Sequence, residues 1–177
     1  MQSCMCRLGV MDYMVKRGIG GHHSAKAATI HWLTPPWILQ SLGRFDLDPC
    51  AAPYPRPWDT ATEMWDSDGL SRPWHDRVWC NPPYGSQLGA WLQRLAEHGN
   101  GVALVFARTE IKAFHEHVWP RAHAALFLRG RLTFYRLDGC LAQGNAGGPS
   151  VLIAYGQSNA DALSRSGLAG HTVQIRS

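Results

Sequence analysis

The chain has 177 residues, a formal net charge of +4 at neutral pH, and 45% hydrophobic residues. That length suits one domain with a substantial core rather than two, and the mild basic excess permits a polyanionic partner without requiring one. Five cysteines at irregular spacing argue against a disulfide framework and for a reducing compartment, while no apolar run approaches the roughly 20 residues of a membrane helix and residues 1–10 lack a signal-peptide core.

Residues 1–30 carry Lys16, Arg17, Gly18, Gly20, Gly21 and Lys26 with little periodicity, and read as a flexible basic arm. Cys4-x-Cys6 and His22-His23 are the best local metal-ligand cluster, but the spacing is not that of a zinc finger. A metal-free leader is the competing reading, and no metal is assigned. Residues 31–177 are expected to form one domain.

From Thr34 the chain becomes organised. Thr34 can cap a helix whose first turn is Pro35-Pro36, with Trp37, Ile38 and Leu42 as apolar positions and Gly43 as its stop. Phe45 to Asp48 reads as a short strand broken by Pro49, and the proline-rich stretch 51–63 reads as loop. Arg77 to Cys80 is a second strand. Leu88, Trp91, Leu92, Leu95 and Ala96 recur at helical spacing between a possible Ser86 cap and Gly99, which predicts an amphipathic helix.

The run GVALVFA, 101–107, is apolar throughout and suits a strand buried on both faces. Thr109 can open another helix in which Ile111, Phe114, His115 and Val118 share a face, making His115 a core histidine rather than a base. Strands are expected at 124–128, 132–135 and 151–155, and a helix over 159–165. Alternation of strands and helices around buried strands implies an α/β fold with a mainly parallel sheet.

Ligands in such sheets sit outside the carboxyl ends of the strands. Asp48-Pro49-Cys50-Ala51 follows the first strand and Asn81-Pro82-Pro83-Tyr84 the second. The two prolines cannot donate to a sheet ladder, so the second segment must leave the sheet as a stiff turn. The Asn81 side-chain oxygen and the Pro82 carbonyl are two acceptors that such a turn can aim at one planar NH₂ group. Tyr84 can then stack on a base that has been flipped out of a duplex. The arrangement looks like a two-substrate enzyme.

Seven blocks in order carry a resemblance: WLTPPWIL (32–39), FDLDPCA (45–51), DGL followed by Trp74 (68–74), WCNPPYGS (79–86), ARTEIKAFH (107–115), FLRGRLTF (127–134) and GPSVLIAY (148–155). The chain resembles phage-type DNA N6-adenine methyltransferases over about Trp32 to Tyr155. The resemblance implies a Rossmann-like S-adenosylmethionine-dependent fold, a mainly parallel sheet with an antiparallel end, and methyl transfer to adenine N6 in DNA. It also implies the cytoplasm of a bacterial host, in keeping with the lack of a membrane-length apolar run; no membrane association and no obligate protein partner is expected.

By the same resemblance, Asn81, Pro82, Pro83 and Tyr84 form the catalytic motif. Thr34, Pro35, Asp48, Pro49, Cys50, Ala51, Asp68 and Leu70 correspond to cofactor-binding positions. No glycine-rich loop follows Asp48-Pro49; Ala51-Ala52-Pro53 stands there. With no separate recognition domain evident, readout of a short or relaxed target falls to loops such as 51–63 and 136–148.

Simpler readings compete at each position. Asn81 could cap its turn, Asp48 could form an Asx turn, and Asp68-Gly69 is a common turn pair. Trp65, Trp74 and Trp79 suit core or pocket wall, and Cys50 and Cys80 suit small buried apolar positions. Arg108, Lys112, Arg129 and Arg131 could meet DNA phosphates or form a solvated rim. Methylation of an RNA adenine or a protein glutamine amide, and a non-catalytic nucleic-acid-binding module, remain as alternatives.

Overall fold

The computed structural model describes residues 31–83 and 85–176. The arm, the Cys4, Cys6, His22 and His23 cluster, and Tyr84 lie outside the described residues. Seven strands form one sheet: β1 (Leu47–Asp48), β2 (Glu63–Met64), β3 (Val78–Cys80), β4 (Gly101–Phe106), β5 (Ala124–Leu128), β6 (Ser150–Tyr155) and β7 (Gly170–Gln174). Their spatial order is β2-β1-β3-β4-β6-β5-β7.

β2, β1, β3 and β4 pair in parallel, whereas β4 with β6, β6 with β5, and β5 with β7 pair antiparallel. The expectation of a mainly parallel sheet therefore holds for one half only. The late strand β6 returns between β4 and β5 and reverses the ladder there. The parallel half is the one that delivers Asp48 and Asn81 to the same edge of the sheet.

Alternation along β4 explains the layers. Val102 and Leu104 face a core shared with helix α1 (Pro36–Leu42) and helix α3 (Gln157–Arg165). Ala103 and Val105 face the opposite core, filled by helix α2 (Leu88–His98) through Trp91, Leu92 and Leu95. Both faces of β4 are thus covered, which is why its sequence is apolar throughout. Among the described residues, no helix is long and apolar enough to cross a membrane.

α2 ends as its composition suggests: Gly99 adopts a left-handed φ of 76° and its N–H bonds to the Leu95 carbonyl. Its start differs, since Gln87 occupies the cap without a side-chain bond and Ser86 plays no such part. α1 likewise begins on Pro35 with no side-chain cap; Thr34 is engaged elsewhere.

The segment 132–135 is not a strand. Leu132 and Phe134 are buried, but their carbonyls accept from Ala146 N and Ala142 N of a folded-back loop, and only Tyr135 forms bridges, to Leu33 and Leu141. Alternate burial was satisfied there without a ladder. His115 is exposed rather than buried, because residues Phe114–Val118 wind as a π-helical turn. The wider turn directs Phe114 and Val118 inward and carries His115 off the apolar face. β2 and β7, both short and largely exposed, have no counterpart among the predicted strands.

Candidate functional site

The carboxyl ends of β1 and β3 open into one cavity. Thr34, Asp48, Pro49, Cys50, Ala51, Asp68, Asn81, Pro82 and Pro83 all line it. Pro35 lies at the foot of α1 and Leu70 packs against the α2 core, so neither lines it. Arg108, Lys112, Arg129 and Arg131 also lie outside its lining. Arg108 pairs with Glu110 at 3.0 Å and Lys112 with Glu116 at 3.5 Å, all on exposed side chains, where such pairs contribute little. Arg129 and Arg131 are exposed at the end of β5.

Asn81 is fixed by its amide nitrogen. Nδ2 donates to the Trp32 carbonyl and to Thr34 Oγ1, each at 3.3 Å. A backbone carbonyl can only accept, so the nitrogen must face Trp32 and the oxygen must face away. Oδ1 is buried and, among the described residues, has no hydrogen-bond partner. A buried acceptor left unpaired costs free energy unless something donates to it. Asn81 therefore presents a held, unsatisfied acceptor at a cavity wall, and it does not cap its own turn.

Asp48 is 2% exposed. Its Oδ1 accepts the Cys50 N–H at 3.0 Å, which is the Asx turn, and its Oδ2 accepts the Thr60 hydroxyl. The two readings of this residue coexist: the turn orients the carboxylate, and the carboxylate still lines the cavity. Burial pushes its pKa up to about 6, against the lowering effect of the Thr60 hydroxyl, the Cys50 N–H and the nearby Arg56 charge. Near neutral pH it is a buried anion with spare lone pairs.

Cys50 and Cys80 face each other across the two strand ends, Sγ to Sγ 3.8 Å. Burial raises the Cys50 thiol well above its usual range, so it stays protonated and is no nucleophile. Trp74 and Trp79 are buried core residues, and Trp79 also reaches the cavity.

Gly69 joins the two cofactor-side segments predicted from sequence. A Cβ built on it would lie 1.8 Å from the Pro49 carbonyl oxygen and 3.0 Å from the Trp91 ring. Only glycine lets the Asp66 to Asp68 strip, which also lines the cavity, lie so close to the Asp48 turn. Asp68 itself adopts a positive φ of 57°, with Ser71 N–H bonded to its carbonyl.

Comparison with profiles of known protein families, with characterised proteins and with solved structures finds no match to this chain.

Sequence reasoning missed three contributors. Thr60 sits in an irregular loop with no periodic signal, twelve positions from the carboxylate it bonds. The Trp32 carbonyl is invisible because any residue supplies one. Gly69 was read only as a turn partner of Asp68, although a glycine beside a candidate ligand is also the signal for close backbone approach.

Proposed function

We propose that the protein transfers a methyl group from S-adenosylmethionine to the N6 amino group of adenine in DNA, on a Rossmann-like methyltransferase fold. The observation that carries this reading is the Asn81 side-chain oxygen, buried and without a hydrogen-bond partner among the described residues, on a residue that lines the cavity and is held by its amide nitrogen. An acceptor so held suits a planar NH₂ group. With the Pro82 carbonyl as a second acceptor, both N–H bonds of an adenine amine would be engaged, which raises electron density at a nitrogen whose lone pair is otherwise delocalised.

The residues fit the cofactor by chemistry. Asp48 offers a buried carboxylate to donor groups, and Ala51, Asp68 and Gly69 line the same wall. Bound S-adenosylmethionine supplies an electrophilic methyl on a sulfonium. The adenine nitrogen would form the new N–C bond as the methyl–sulfur bond breaks and its electron pair returns to sulfur, leaving a neutral thioether; the amine would then release one proton to water, so no side-chain base is required. His115, exposed on the π-helical turn, has no part in this scheme. The order of strands, parallel up to β4 and reversed beyond it, is compatible with the fold proposed.

The test is incorporation of labelled methyl into unmethylated DNA, with nucleoside analysis. N6-methyladenine made by the wild type, and lost by at least roughly a hundredfold in Asn81→Ala with cofactor binding retained, supports the reading. Label appearing only in RNA or in glutamine amides moves the same chemistry to those substrates, and no label with bound nucleic acid leaves a binding module.

Thr34 has a separable role as a positioning residue. Thr34→Val keeps the shape and removes the acceptor for Asn81 Nδ2, so kcat is expected to fall about tenfold, the worth of one hydrogen bond. KM for either substrate should change by less than about twofold, because ground-state contacts are intact. Thr34→Ser should restore kcat; failure of that rescue would assign Thr34 to packing alone.

A further inference from the structure

The loop joining β1 to β2 reaches the cavity at both of its ends. Ala51 and Ala52 line the cavity at one end and Thr60, bonded to Asp48, at the other. Its crown is tied down. The Arg56 guanidinium donates to the Ala52 carbonyl and pairs with Asp59 at 3.7 Å. Trp58 meets Tyr135 edge-on, with centroids 5.1 Å apart, and Pro57 lies against Gly139 of the neighbouring loop.

On that fastened crown Tyr54, between Pro53 and Pro55, is 82% exposed, more than any other large apolar side chain among the described residues. The adjoining loop exposes Leu141, whose backbone bridges to Tyr135. Isolated exposed aromatics are common on protein surfaces and carry no meaning by themselves. Here a stiff loop holds a ring in water two positions from Ala52 of the cavity wall, and a second apolar side chain stands on the loop beside it.

Resting on the methyltransferase reading, we infer that Tyr54 is a wedge that enters duplex DNA and fills the gap left by the extruded adenine. A flipped base leaves its neighbours without a stacking partner and its pairing partner without hydrogen bonds. An aromatic ring offers both neighbours a stacking face, and inserted side chains of this kind stabilise unstacked steps. The wedge acts on the duplex, whereas Asn81 acts on the base once it has arrived. Tyr54 is therefore needed only when the adenine starts out stacked and paired.

The test compares two DNA substrates carrying the sequence that the wild type methylates: a fully paired duplex, and the single strand. Tyr54→Ala should lower kcat/KM on the paired duplex by roughly 10- to 100-fold, the range of one lost base-aromatic stack, and change it less than about threefold on the single strand. Tyr54→Phe should retain activity on both. In the absence of cofactor, 2-aminopurine replacing the target adenine in the duplex should brighten with the wild type and stay quenched with Tyr54→Ala. Equal losses on both substrates, or no loss on the duplex, would overturn the wedge while leaving the proposed function intact. A wild type that methylates neither substrate would overturn the proposed function and the wedge with it.

Discussion

Replacing Asp48 by asparagine is expected to stabilise the protein at pH 7.5 and, on the proposed methyltransferase reading, to weaken S-adenosylmethionine binding about 100-fold. The carboxyl is buried and its pKa is pushed up to about 6 from an ordinary value near 3.8. Because the folded state holds the proton more tightly than the unfolded chain, stability falls as pH rises between those two values and the loss is complete above about pH 6. At 1.36 kcal/mol per pK unit the ionised group costs the fold about 3 kcal/mol. Asparagine keeps an oxygen for the Cys50 N–H and offers its NH₂ to the Thr60 hydroxyl oxygen, so it inherits the bonds without the charge.

Urea unfolding at two pH values reads the result. The variant should exceed the wild type by about 2 to 3 kcal/mol at pH 7.5 and by little at pH 4. Loss of a hydrogen bond to a charged group should weaken S-adenosylmethionine by about 100-fold at pH 7.5. Wild-type affinity should decline as pH is lowered through 6, while the variant's weak affinity stays flat. A variant less stable than the wild type at pH 7.5 would show that the carboxylate holds the loop together as an anion.

Gly69→Ala is the second large effect. The added methyl would sit 1.8 Å from the Pro49 carbonyl oxygen, and backbone cannot swing aside as a side-chain end can. Relief requires moving either the Asp48 turn or the Asp66 to Asp68 strip, and both line the cavity. The cost should reach about 3 kcal/mol, at the upper end for overpacking, which lowers Tm by roughly 5 to 10 °C in a chain of this size. On the proposed reading, S-adenosylmethionine binding should be lost with it. Gly89→Ala is the matched control: within α2 its Cβ would meet only Ala113, at 3.8 Å, and helix propensity favours alanine by up to about 1 kcal/mol. Thermal melts of the two variants should therefore move in opposite directions.

How far the sequence speaks is clear at particular residues. Asp48 and Asn81 were placed at neighbouring strand ends because Pro49 and Pro82 each announce where a strand must stop. α2 was legible because five apolar residues kept one period and a glycine closed it. Thr34 was misread: a threonine before Pro-Pro suits a helix cap, but its hydroxyl is taken by an amide 47 residues away, and long-range partners leave no local trace. The strand read at 132–135 failed for a related reason, since burial has a period while the choice of hydrogen-bond partner has none. The π-helical turn escaped because one widened turn looks like a helix until its faces are counted.

The position of β6 also orders events in time. It lies between β4 and β5, in register from Gly101 opposite Tyr155 to Phe106 opposite Ser150. Until Ser150 to Tyr155 arrive, β4 and β5 each lack the partner that joins them in the folded sheet. Every residue that lines the cavity precedes Gly101, yet the strand that joins β4 to β5 comes some fifty residues later. During synthesis the growing chain therefore carries the parts of its site well before it has the strand that joins the two halves of the sheet behind them, and that pairing is of the non-local kind that slows folding.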